Sequence, residues 1–200
     1  MTRRWLALLP VAAVLAAGTA HAGPTTVPQI KDPAGDATGG QAGTDIVSVL
    51  LTTAGKGSGK GYQPKEFTVT MTLAGPPLSG PGLTYEVHAT TDKCGDIAFT
   101  YEPGTAYERV TGLNGWADWG SCDNQAGDGN IELLTVETSG NKVVWEFGYK
   151  AISLKVGATL SNMKAYVDPS NPAVPFPASE NGGPFGVIDT ATGAGTWKVS

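Results

Sequence analysis

Apolar and polar positions alternate strictly over several stretches of this chain, and that period of two predicts half-buried β-strands. Phe67, Val69, Met71 and Leu73 alternate with Thr68, Thr70 and Thr72. Leu83, Tyr85, Val87 and Ala89 do the same against Thr84, Glu86, His88 and Thr90. Val143, Trp145, Phe147 and Tyr149 share one face behind Ser139-Gly140-Asn141, a turn that predicts a hairpin. Further strands are expected over residues 46–53, 97–101, 107–111, 116–122, 131–138, 160–167 and 196–199. Asn114-Gly115 predicts a second two-residue turn, folding 107–111 back on the strand through Trp116. Helical periodicity never persists beyond about two turns, and 151–156 is the one place where a short helix fits. These patterns predict an all-β fold, an antiparallel two-sheet β-sandwich of jelly-roll-like form with roughly eight to eleven strands.

The first 22 residues do not belong to that fold. Arg3 and Arg4 precede an apolar run over residues 5–17, and Ala20-His21-Ala22 supplies a small-x-small cleavage site, the pattern of a secretory signal peptide. The run is too short for a bilayer of about 30 Å, so export with cleavage after Ala22 is expected, and no membrane insertion thereafter. The product is expected outside the cytoplasm, extracellular or periplasmic. Residues 23–43 are rich in Gly, Pro, Thr and Ala and read as a loop or tethered arm, and residues 44–200 as one sandwich domain. Residues 168–186 carry five prolines and must run extended or turned, because proline donates nothing to a ladder.

Export changes the charge and the cysteine chemistry. Loss of Arg3 and Arg4 lowers the 13 Lys/Arg to 11 against 18 Asp/Glu, a net of −7. An acidic chain without a Lys/Arg cluster is a poor partner for nucleic acid or anionic lipid. Cys94 and Cys122, the only two cysteines, both lie in the exported part, where an oxidising compartment favours a bridge. Closing that loop contributes about 3.5 kcal/mol in the chain-entropy model.

Few residues offer catalysis. His21 leaves with the signal, so His88 is the one histidine remaining, and period two sets it with Thr84, Glu86 and Thr90 on the polar face, where a solvated strand histidine is expected. No nucleophile elbow accompanies it, and the ligand supply falls short of a zinc site. The run Gly55-Lys56-Gly57-Ser58-Gly59-Lys60-Gly61 lacks the Ser/Thr that a phosphate loop places after Gly-Lys, and reads as a hairpin connection. Paired carboxylates suffice for glycoside hydrolysis, which stays open as the third reading. A non-catalytic binding role is the expectation. Trp116 and Trp119, in a Gly-bounded segment, are the candidate ligand contacts, since secreted sandwiches hold sugars against exposed rings. Positions three apart fall on opposite faces of a regular strand, so both serve one ligand only from a bulge or loop.

Asp32, Asp36 and Asp45 lie in a Gly-rich stretch with almost no apolar residue to order it, and are the candidate ligands of a structural calcium ion. The competing explanation is that Asp-Pro and Gly-Asp are ordinary turn formers. A second acidic stretch, Asp123-Asn124 to Asp128-Gly129-Asn130, is a weaker candidate of the same kind.

Asp32-Pro33-Ala34-Gly35-Asp36 leading to Asp45-Ile46, the two alternating strands after it, and Val144-Trp145-Glu146 through Ala151-Ile152-Ser153-Leu154 to Gly157 resemble the secreted bacterial sandwiches of family 9 carbohydrate-binding modules and DOMON-like domains. The resemblance implies a two-sheet antiparallel sandwich, often with calcium, that binds polysaccharide or cell-envelope glycan. No motif here aligns with that family's sugar-clamping tryptophans. An extracellular protein partner or a structural envelope role is the alternative.

Overall fold

A computed structural model describes residues 27–56, 63–92, 95–119, 130–148, 157–169 and 187–199. More than half of them lie in two antiparallel sheets. The first contains β1 (Ile30–Lys31), β2 (Ile46–Lys56), β3 (Gln63–Leu73), β8 (Glu137–Ser139) and β9 (Lys142–Gly148) in the order β1-β2-β3-β9-β8. The second contains β4 (Leu83–Thr91), β5 (Gly95–Tyr101), β6 (Gly115–Trp119), β7 (Asn130–Leu134), β10 (Thr159–Pro169) and β11 (Asp189–Thr192) in the order β11-β10-β4-β5-β6-β7. A short β12 (Trp197–Lys198) also pairs with β10. The architecture is all-β, as the alternation predicts, with twelve strands among the described residues against the eight to eleven expected.

The apolar parity of β3 and β9 packs against that of β5 in the other sheet. Phe99 of β5 sits between Phe67 of β3 and Phe147 of β9, with ring centroids 5.8 and 5.1 Å away. Trp197 of β12 adds a further ring 5.8 Å from Phe67. Each such buried side chain contributes roughly 1.5 to 3 kcal/mol by removal from water, and each ring pair about 0.5 to 1.5 more. Val143, Trp145 and Phe147 are all buried, and Ser139 pairs with Lys142 across Gly140-Asn141, which is the expected hairpin. Gly140 supplies the positive φ of 60° that this turn requires.

Other expectations are corrected. Residues 106–111 form a short α-helix, α1 (Ala106–Thr111), where a strand over 107–111 was expected. Thr105 Oγ1 accepts the N–H of Glu108, Glu108 Oε2 accepts the N–H of Gly104, and Gly112 closes the helix at φ 75°. Capping at both ends outweighs the β-propensity of Tyr107 and Val110. Asn114-Gly115 is not a two-residue turn. Asn114 Oδ1 instead accepts the N–H of Val136 at 2.6 Å, its Nδ2 donates to the Val136 carbonyl, and Gly115 begins β6. A Cβ at Gly115 would collide with the Thr100 carbonyl oxygen and a Val136 methyl. Residues 131–138, expected as one strand, divide into β7 and β8, which belong to different sheets. Ile30, within the expected arm, is fully buried and pairs with Val49.

The hairpin connection over 57–62, Cys94, Cys122, the acidic stretch over 123–129, the helix expected over 151–156 and the Pro-rich segment over 170–186 lie outside the described residues.

Candidate functional site

One corner of the sandwich brings the acidic loop over residues 32–45 together with Asp189, from near the other end of the chain. The N–H of Asp32, just past β1, donates to the Val47 carbonyl at 2.9 Å, which ties the start of the acidic loop to β2. Gly35, at φ 99°, then turns the loop so that its N–H donates to Asp45 Oδ2 at 2.6 Å. A side chain at that φ is strained, so glycine is needed for the turn. Farther on, the N–H of Thr38 donates to the Ile188 carbonyl at 2.8 Å, which delivers Asp36 to the start of β11.

Asp189 opens β11 on the parity of buried Ala191 and points inward. Its Oδ2 accepts the N–H of Ile46 and its Oδ1 the N–H of Thr190, at 2.6 and 2.8 Å. Carboxylate oxygens of Asp32, Asp36 and Asp189 lie within 4.8 Å of one another. Asp45 borders the group and raises the pKa of both Asp32 and Asp189 through its charge.

The group is electrostatically unbalanced. Burial holds the Asp32 carboxyl above its ordinary range, and the charges of Asp36, Asp189 and Asp45 push it the same way. Burial does the same to Asp189; its two N–H donors oppose the shift, and Asp36 and Asp45 add to it. Asp32 Oδ2 and Asp45 Oδ1 are buried with no hydrogen-bond partner. Turn formation accounts for the Asp45 bond to Gly35, but not for these two oxygens or for Asp189. A hard cation accepts six to eight oxygens at about 2.3 to 2.6 Å, so oxygens up to about 5 Å apart can share one ion. The donors present are of that kind: all carboxylate oxygens, partly desolvated, mutually repelling and in part without protons to accept.

The sequence reading therefore identifies Asp32 and Asp36 of the compact group and Asp45 at its edge, and misses Asp189. No strand was expected at 189–192, and the local signal is slight: an aspartate on the inward parity of a four-residue strand.

The two tryptophans occupy β6. Register pairs Trp116 with Thr100 and Trp119 with Ile97, positions of opposite parity, and the ladder there shows no bulge. Their side chains lie outside the described residues. His88 departs from the solvated strand histidine expected of it. Its Nε2 is hydrogen-bonded to Glu86 Oε2 at 2.7 Å, its side chain is 26% exposed against 5% for Glu86, and its ring stands edge-on to Tyr166 at 5.3 Å.

Comparison of the chain with protein-family models, with curated proteins and with solved structures found no match.

Proposed function

We propose that the chain is an exported, non-catalytic binding module. In this reading it is a jelly-roll-like sandwich with a Cys94–Cys122 bridge, its N-terminal arm pinned by a structural calcium ion, and its ligand a polysaccharide or cell-envelope glycan. The observation that carries the calcium part is the pair of buried, unpartnered oxygens on Asp32 and Asp45 beside the converging Asp36 and Asp189. Leaving a buried acceptor unsatisfied costs about 1 to 3 kcal/mol, more when it is charged. A divalent cation would supply the missing partner and cancel the repulsion at once. Magnesium demands near-ideal octahedral geometry and keeps several waters, whereas calcium tolerates an irregular all-carboxylate set. The ion's role is to order the arm and hold it to β2 and β11.

Support for the glycan part comes from the two-sheet architecture together with the resemblance carried by the Asp32 to Asp36 motif and the Val144 to Gly157 segment. Titration of the chelator-treated exported chain with calcium chloride, followed calorimetrically and by melting, tests the metal. A midpoint unmoved by millimolar calcium ends that part. Retention on insoluble polysaccharides, with tryptophan fluorescence as a second readout, tests the ligand. Absence of both retention and a fluorescence change would leave an extracellular protein partner as the reading.

A further inference from the structure

On the outer face of the second sheet the β4/β10 ladder sets Thr84 directly opposite Asp168. Alternation predicts solvent contact for both, because Tyr85 and Val167 beside them fill the core. They are nevertheless only 2% and 3% exposed. Thr84 Oγ1 and Asp168 Oδ1 also lack any hydrogen-bond partner. A hydroxyl and a carboxyl thus stand on opposed residues, shut away from water and each without the bond that burial requires.

Three features make that pair a nucleophile and an electrophile. Burial first, and then the charge of Glu86, lift the Asp168 carboxyl to about 6 against the opposing effect of His88, so a share of it is the neutral acid close to neutral pH. A neutral aspartic acid ordinarily reacts with the N–H of the following residue, but that residue is Pro169, which has none. The base is at hand: Glu86 follows Thr84 on the same face of β4, and its Oε2 is hydrogen-bonded to His88 Nε2 at 2.7 Å. The distances also suit a link. Opposed residues of an antiparallel pair hold their Cβ atoms about 4.5 to 5.5 Å apart, and an ester, like a disulfide, joins two Cβ atoms through three bonds and needs about 3.8 Å, a closure of roughly 1 Å. Thr84 and Asp168 stand one position from the end of the ladder, where Leu83 pairs with Pro169, so the closure distorts little of the sheet.

We infer that Thr84 and Asp168 are a modification site, at which the folded chain joins β4 to β10 by an ester between the Thr84 hydroxyl and the Asp168 carboxyl. Thr84 Oγ1 attacks Cγ of the neutral carboxyl and gives its proton to Glu86. The Oγ1–H bond and one Cγ–O bond of Asp168 break, the Oγ1–Cγ bond forms, and the departing hydroxyl with its proton leaves as one water. Nothing is oxidised or reduced, and no other reactant is consumed. The product removes both a buried charge and an unsatisfied hydroxyl, and the exclusion of solvent that created the pair also shields the ester from hydrolysis.

Intact-mass spectrometry of the full exported chain, folded and then treated with a reductant so that no cysteine bridge alters the mass, is the test. The chain is expected to be lighter than its sequence by one water, and peptide mapping to find the peptides containing Thr84 and Asp168 joined. Hydroxylamine, which cleaves esters and spares amides, is expected to part them and leave a hydroxamate on Asp168; this arm needs no variant to fold. Thr84→Val and Asp168→Ala are expected at full mass, whereas Thr84→Ser, which keeps a hydroxyl, again loses one water. Full mass in the unaltered chain, a water lost at any other residue, a link that resists hydroxylamine, or the same loss in folded Thr84→Val overturns the ester.

Discussion

Asp189 Oδ2 accepts the backbone N–H of Ile46 at 2.6 Å, joining residues 143 positions apart. One belongs to the edge of the second sheet and the other begins β2 of the first, so a carboxylate of the candidate metal group is also a clip between the sheets. Asp189→Ala would leave the buried Ile46 N–H without an acceptor. The expected loss is about 2 to 3 kcal/mol, a fall in melting midpoint of roughly 5 to 10 °C. Asp189→Asn, which keeps a carbonyl oxygen in place, should lose less. Equal midpoints for Asp189→Ala and the unaltered chain in a thermal melt would refute the clip.

Asp36→Asn separates ion binding from fold integrity, because Asp36 is exposed and its charge raises the pKa of both Asp32 and Asp189. In chelator the variant is expected to melt at or above the unaltered chain, since repulsion is relieved. With calcium at a hundredfold excess over its dissociation constant the unaltered chain should gain about 2.7 kcal/mol, and the variant little. The two melting curves therefore exchange order when calcium is added. The calcium gain should also shrink as pH falls, because the raised Asp32 and Asp189 carboxyls take up protons before ordinary carboxylates do.

Asp168, while its carboxyl is free, makes a distinct prediction about pH. Its folded pKa of about 6 lies above the unfolded value of 3.8, so the native state binds the extra proton between those limits. This carboxyl therefore costs stability above pH 6, on the order of 2 kcal/mol, and the cost disappears as pH falls toward 4. Asp168→Asn should stabilise the chain at pH 7.5 and make little difference near pH 4. Melting midpoints of the two proteins over that range give the measurement, and a constant difference would contradict the burial of this charge.

Phe99 links the ring cluster of the two sheets through Phe67 and Phe147. Phe99→Ala should cost about 3 to 5 kcal/mol, the transfer loss plus the cavity. Phe99→Leu, which fills most of the volume, should cost clearly less. Denaturant unfolding followed by tryptophan fluorescence checks both.

Alternation is a local property, which is why the faces of β3, β4 and β9 were legible along the chain: Phe67 to Leu73, Leu83 to Ala89 and Val143 to Phe147 carry their burial in their own spacing. The hairpin at Gly140-Asn141 was legible for the same reason, since a two-residue turn sets its own register. Helix α1 escaped because six residues show no periodicity. Its sign was Thr105 and Glu108 three apart, with Gly112 behind them.

The sequence by itself determined an all-β chain, its strand faces, and an acidic loop at Asp32, Asp36 and Asp45. Only the tertiary structure decided that Asp189 joins Asp32 and Asp36, because that meeting depends on β11 pairing with β10 and on Thr38 reaching Ile188, contacts between segments far apart in the chain. It alone decided that Thr84, Glu86 and Asp168 are buried on a face whose pattern reads as polar. Period two assigns a side chain to one side of a sheet; whether that side meets water depends on neighbours supplied from elsewhere in the chain.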